Sequence, residues 1–215
     1  MNDVLLSGMV ESPEKGRIRQ DNEAVILPAA ERVFARYGFR GATMQQIADE
    51  AQLPKPNLHY YFGNKQNLYL RVLERILHDW LAPLEAMVAD ADPKVALESY
   101  VRKKIRFSFT RPDASKLFAN EILQGAQVVH PLLQNQLRQL VAEKARMLDG
   151  WIAQGKLRAT DTTHFFFTVW SMTQTYADFD IQIAAILGSD AHSKGAEERA
   201  TQHVLSCVLR ICGLE

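Results

Sequence analysis

Apolar residues recur along this chain at three- and four-residue steps, the period of one helix face, and form no two-residue alternation of the kind a half-buried strand shows. From Gln20, the series Val25, Ile26, Ala29, Val33 and Phe34 predicts a helix to Tyr37, closed by Gly38 as a C-terminal cap. Pro28 falls inside that run and is expected to bend or fray its first turns. Thr43 followed by Gln46 is a capping-box signature, and it opens a short helix carrying Ile47, Ala48 and Ala51 that ends at Gln52-Leu53-Pro54. A third helix is predicted from Lys55-Pro56 to Phe62, with Leu58 and Phe62 inward and Gly63 as its end. Asn64 caps a longer fourth, striped by Leu68, Val72, Leu73, Ile76, Leu77 and Trp80 and interrupted near Pro83. Five more follow: Pro93 to Thr110, Pro112 to Gly125, Pro131 to Gly155, Thr162 or Thr163 to Gly188, and Ala196 to Ile211. The expectation is an all-α chain of about nine helices.

Composition narrows what such a chain does. With 215 residues and 47% hydrophobic content it can bury a substantial core. Its 25 basic residues balance 25 acidic ones, so any nucleic-acid contact must come from a local patch rather than from the field of the whole molecule. No secretory h-region and no run long enough to span a bilayer is found, which predicts a cytoplasmic protein. Cys207 and Cys212 read as small buried hydrophobes, not as a disulfide or metal framework. The six histidines are scattered without metal-ligand spacing. There is no glycine-rich phosphate loop and no Gly-x-Ser-x-Gly elbow, so the expectation is no enzyme, no cofactor and no metal. Residues 1–19 read as a flexible arm, made locally basic by Lys15, Arg17 and Arg19.

The segment from Thr43 to Phe62 reads as helix, tight turn, helix. A helix-turn-helix needs a first helix anchored by apolar residues and a second whose polar face is free to enter the major groove. Here that face presents Lys55, Asn57, His59, Tyr60 and Tyr61. The stretch resembles the TetR family of bacterial transcriptional regulators over residues 20–80. The resemblance is carried by Tyr37-Gly38-Phe39, Gly41-Ala42-Thr43, Gln46-Ile47-Ala48, Asn57-Leu58-His59-Tyr60-Tyr61-Phe62 and Asn64-Lys65. It departs at Gln52, where glycine is common, and at Pro56. Gln52 is expected to adopt a left-handed backbone at some cost. The resemblance implies that Thr43 caps the second helix and touches a phosphate. Lys55, Asn57 and His59 meet bases or backbone. Tyr60 and Tyr61 divide between phosphate and packing, and Lys65 clamps a phosphate.

The rest of the chain resembles the pyrimidine-utilisation branch of that family. The carriers are Asp79 to Leu84, Ala153 to Leu157, and Trp170 to Phe179. This implies an all-α architecture with the DNA-binding domain at 20–80 (motif 43–62) and an effector-binding and dimerisation domain at 81–215. The implied activity is that of a ligand-responsive repressor, released from a palindromic operator by uracil, thymine or a related pyrimidine. Trp170, Gln174 and Asp178 share one helix face, which suits a flat ring with amide-type donors and acceptors. Trp80, Phe118, Asn120, Glu121, Trp151 and Phe167 complete the candidate pocket. Gln174 and Asp178 fit equally a dimer seam between the last two helices, to which Ala184, Ile186, Leu187, Val204, Leu205, Val208 and Leu209 would contribute. The competing reading is a helical adaptor that dimerises but no longer binds DNA.

Overall fold

The computed structural model describes residues 13–214, with side chains from Asp21 onward except that of His192. Residues 1–12 of the expected arm lie outside the described residues, and from Pro13 the chain is already helical. No strand occurs among the described residues. Contacts divide the chain after Val72 into two compact units.

The first unit holds α1 (Pro13–Gly41), α2 (Met44–Ala51), α3 (Lys55–Phe62) and the start of α4 (Lys65–Glu85). Pro28 does not interrupt α1; the non-helical residue is Gly38, at φ 67° and ψ 171°, a backbone that favours glycine. Thr43 caps α2 as its spacing predicts. Its hydroxyl accepts from the Gln46 N–H, and the Gln46 side chain accepts from the Thr43 N–H at 2.8 Å. Gln52 ends α2 in the left-handed region, at φ 55° and ψ 38°, as expected from its place in the turn. Pro54 follows, and Pro56 sits in the first turn of α3, where its missing N–H is no loss. α1 packs on both α2 and α3. Ile26, Ala30, Phe34, Ile47, Leu58 and Leu68 are fully buried, which pins α3 by its apolar side and leaves its other side open.

The second unit is built around α5 (Pro93–Thr110), which packs against α9 (Thr162–Asp178) and α11 (Ala196–Cys212). α6 (Pro112–Leu123) and α8 (Arg138–Ala153) pack on α9 as well. α8 continues without a break from α7 (His130–Leu132) through a π-helical stretch, Leu133–Leu137. The core joins Tyr100, Val101 and Ile105 of α5 to Phe166 and Val169 of α9 and Val208 of α11.

Two expectations need correction here. The single helix predicted from Thr162 or Thr163 to Gly188 breaks at Phe179 (φ −119°), giving α9 and a separate α10 (Asp180–Leu187). Each side of the break is tied to α6: Ser115 Oγ donates to Asp178 at 2.6 Å, and Lys116 pairs with Asp180 at 2.7 Å. Val204, Leu205 and Val208, expected at a dimer seam, are buried inside the protomer, because that face of α11 closes on α5. The exposed apolar residues nearby lie on α10 instead: Ile181 at 81% exposure and Ile186 at 75%.

Candidate functional site

The outer side of the helix-turn-helix collects the polar residues the sequence singled out. Lys55, His59 and Tyr60 are exposed, Tyr60 at 82%, and Asn57 and Tyr61 are half-buried. Several of these groups are held by internal bonds. His59 Nδ1 lies 2.9 Å from the Gly63 carbonyl, to which it donates, leaving Nε2 directed away from that bond. The Tyr61 hydroxyl accepts from Asn22 Nδ2 at 2.9 Å, tying α3 to α1, while its ring meets Tyr60 edge-on at 5.1 Å. The two tyrosines therefore differ in role: Tyr61 is anchored and Tyr60 projects. Thr43 is exposed at the start of α2, where free N–H groups and the helix dipole favour an anion.

Lys65 has a part that sequence reasoning did not assign. Its ammonium donates to the Ala42 carbonyl at 2.8 Å and, more weakly, to the Arg40 carbonyl at 3.5 Å, and sits 4.7 Å above the Phe39 ring. It thus staples the end of α1 to the start of α4, and a phosphate clamp has only its remaining N–H to use.

In the second unit a cavity of about 990 Å³ opens between α4, α5, α6, the π-helical stretch, α9 and α10. That volume is at the upper end of the range for small-molecule sites. Of the expected ligand residues, Trp80, Phe118, Asn120, Trp170, Gln174 and Asp178 line it. The Trp80 and Phe118 rings lie 5.1 Å apart and form an aromatic wall. Trp170 donates its indole N–H to the Tyr100 hydroxyl at 2.8 Å, which fixes the ring and spends its donor. Gln174 has no hydrogen-bond partner among the described residues, so its amide is available to a guest. Asp178 accepts from Ser115, and burial raises its carboxyl above the usual range, partly offset by that bond and by the Lys104 and Lys116 charges.

Three expected ligand residues lie elsewhere. Trp151 is 1% exposed in the core, with its indole N–H on the Ala89 carbonyl at 2.8 Å. Glu121 turns back to accept from the Val128 N–H, holding the loop in which Ala126 takes φ 55°. Phe167, 48% exposed, faces away from the cavity on the outer side of α9. The residue the sequence reading missed is Lys104, 4% exposed on the cavity wall. Its Nζ sits 4.4 Å from the centre of the Trp80 ring. Burial lowers its pKa to about 7, against the opposing pull of Asp178. The available signal was helical spacing: Leu97, Tyr100, Val101, Lys104, Ile105 and Ser108 share the inward face of α5. Among the described residues no helix is long and apolar enough to cross a membrane, and no group of three metal-ligating side chains occurs.

Comparison with known proteins agrees with this division. Residues 26–72 match the model of bacterial regulatory proteins of the tetR family, and residues 73–215 match that of the YcdC-like protein C-terminal region. The chain is 40% identical over 176 residues to the HTH-type transcriptional regulator RutR of Escherichia coli K12, covering 82% of this chain and 83% of that one. It is 28% identical to the HTH-type transcriptional repressor NicS of Pseudomonas putida over 80% of this chain and 83% of the relative. Among solved structures, the Streptomyces coelicolor regulator SCO4942 superposes with a TM-score of 0.72 at 23% identity, covering 90% of this chain and 99% of that one. AibR, crystallised with isovaleryl coenzyme A and operator DNA, superposes with a TM-score of 0.66 at 16% identity, covering 86% and 97%. Those likenesses concern the fold.

Proposed function

Because the chain belongs to the TetR family of bacterial transcriptional regulators, we infer that α3 reads duplex DNA and that the cavity of the second unit holds the small molecule that ends the reading. The observation that carries this is the pairing, in one chain, of a capped helix-turn-helix with an open polar face and a roomy apolar cavity whose Gln174 amide has no internal partner. The protein acts as a homodimeric, cytoplasmic regulator rather than as an enzyme. Its dimer seam draws on the exposed faces of the helices from α9 to α11, where Ile181 and Ile186 stand in solvent. Two copies of α3 would then enter successive major grooves about one turn (~34 Å) apart.

On DNA, Lys55, Asn57, His59 and Tyr60 meet base edges and backbone, while Thr43 meets a phosphate at the α2 N-terminus. The effector is a pyrimidine such as uracil or thymine, with its ring against Trp80 and Trp170 and its amide edge toward Gln174 and Asp178. α4 lines the cavity with Leu77, Trp80 and Leu81 and is joined to α3 by only two residues, Gly63 and Asn64. Occupancy of the cavity reaches the reading helix along that element. The shift is bounded by how much more tightly the ligand holds the released form than the DNA-bound form.

The test starts with selection of bound duplexes from a random library. Binding of a selected duplex is then followed as salt rises, without and with uracil. A regulator of this kind loses affinity linearly on a log–log salt plot as counterions are released, and uracil dissociates the complex. Absence of duplex binding at low salt would leave the helical-adaptor reading instead.

A further inference from the structure

The cavity wall carries a cation that the protein itself leaves without an acceptor. Lys104 is 4% exposed, yet among the described residues its Nζ has neither a hydrogen-bond acceptor nor an ion-pair partner. Its Nζ lies over the Trp80 ring, 4.4 Å from the ring centre. The neighbouring charges are otherwise engaged. On α9, Asp178 accepts from Ser115 at 2.6 Å; on α6, Lys116 pairs with Asp180 of α10 at 2.7 Å. The π-helical stretch contributes Leu133 and Leu137 and no charge to the wall. The stem of Lys104 is buried, but its Nζ is reached from the cavity, so a guest held there meets donors that the protein has not used.

We propose that Lys104 is the specificity-determining anchor of this cavity, its ammonium donating to an exocyclic oxygen of a flat-ring ligand whose face lies along Trp80. This rests on reading the cavity as the effector site and names the chemical class the site selects: a planar ring bearing a carbonyl or carboxylate oxygen. An oxygen acceptor favours the charged amine, so loading the cavity draws a proton onto Lys104 wherever the empty protein holds it neutral, above pH 7. The carboxyl of Asp178, raised by burial, and the Lys116–Asp180 pair bear on the same proton and set its extent.

The test is calorimetric titration of the full chain with uracil (neutral ring), orotate (the same ring with a carboxylate) and benzoate (a flat carboxylate without the imide). It is run at pH 8 in two buffers of different ionisation enthalpy. Lys104→Met, which keeps the stem length without the charge, is titrated in parallel, with retention of duplex binding as the check that it folds. At least one probe should bind with net proton uptake, and Lys104→Met should weaken it about tenfold or more, the loss expected for a charge-assisted hydrogen bond. Binding of orotate or benzoate through Lys104, with uracil inert, upholds the anchor and overturns the neutral-pyrimidine effector. Uracil binding that is unchanged in folded Lys104→Met, or that takes up no proton in the wild type, overturns the anchor and keeps the effector. Failure of all three probes overturns both.

Discussion

The two units handle their polar groups in opposite ways. Around the helix-turn-helix several polar side chains are tied to the scaffold: Thr43 and Gln46 cap each other, His59 holds Gly63, Tyr61 holds Asn22 and Lys65 holds Ala42. In the cavity, Lys104 and Gln174 are left with donors unspent, against an aromatic wall that contributes no hydrogen bond of its own to them. A surface that must match a fixed duplex geometry gains from side chains already ordered, since less entropy is lost on binding. A site that must respond to a ligand gains from groups that only the ligand completes, because the free energy of completion is what shifts the equilibrium.

The largest effect that would break this contrast comes from loosening the ordered unit. Leu58 is fully buried beneath α3, and Leu58→Ala should lower stability by about 3 kcal/mol. Chemical denaturation followed by circular dichroism reads that loss, and duplex affinity should fall with it. Unchanged melting would mean that α3 is not held by its apolar side.

Next comes the proton balance of the cavity. The unfolded chain keeps Lys104 charged up to its ordinary pKa near 10.5, whereas the folded chain releases that proton from about 7 upward. Between those values the unfolded state binds more protons, so Lys104 makes the empty protein more stable as pH rises, by up to about 1.4 kcal/mol per pH unit. Comparing denaturation of wild type and Lys104→Met at pH 7 and pH 9 isolates this slope: the difference between the two proteins should narrow as pH rises, and parallel behaviour would place the amine in water.

Smaller effects sharpen the picture of the reading head. Thr43→Ala removes one side of the capping box and should cost about 1 kcal/mol, with duplex affinity reduced through the same helix terminus. Gln52→Gly relieves the left-handed backbone at φ 55° and should raise stability by up to about 1 kcal/mol. A loss of stability there would mean that the Gln52 side chain makes up for its backbone.

These positions also show what the sequence makes legible. Caps and turns depend on neighbours a few residues away, so Thr43, Gly38 and Gln52 announced themselves in the chain's own order. The cavity depends on which helix faces close on one another, and that is settled by tertiary packing. Lys104 follows Arg102 and Lys103, a basic run that reads as a solvated face until α5 is seen between α9 and α11. Trp151 had the right side-chain type for a ligand residue, but α8 turns it into the core toward Ala89. The break at Phe179 likewise depends on the Ser115 and Lys116 contacts from a distant helix.

The central claim is that occupancy of the cavity governs the hold on DNA. Its direct measure is fluorescence anisotropy of a selected duplex bound to the wild type and to Gln174→Ala while uracil is added. The wild-type complex should dissociate as uracil rises, and Gln174→Ala should hold the duplex equally well yet resist release. A wild-type complex indifferent to uracil, or a Gln174→Ala protein that never binds the duplex, would contradict it.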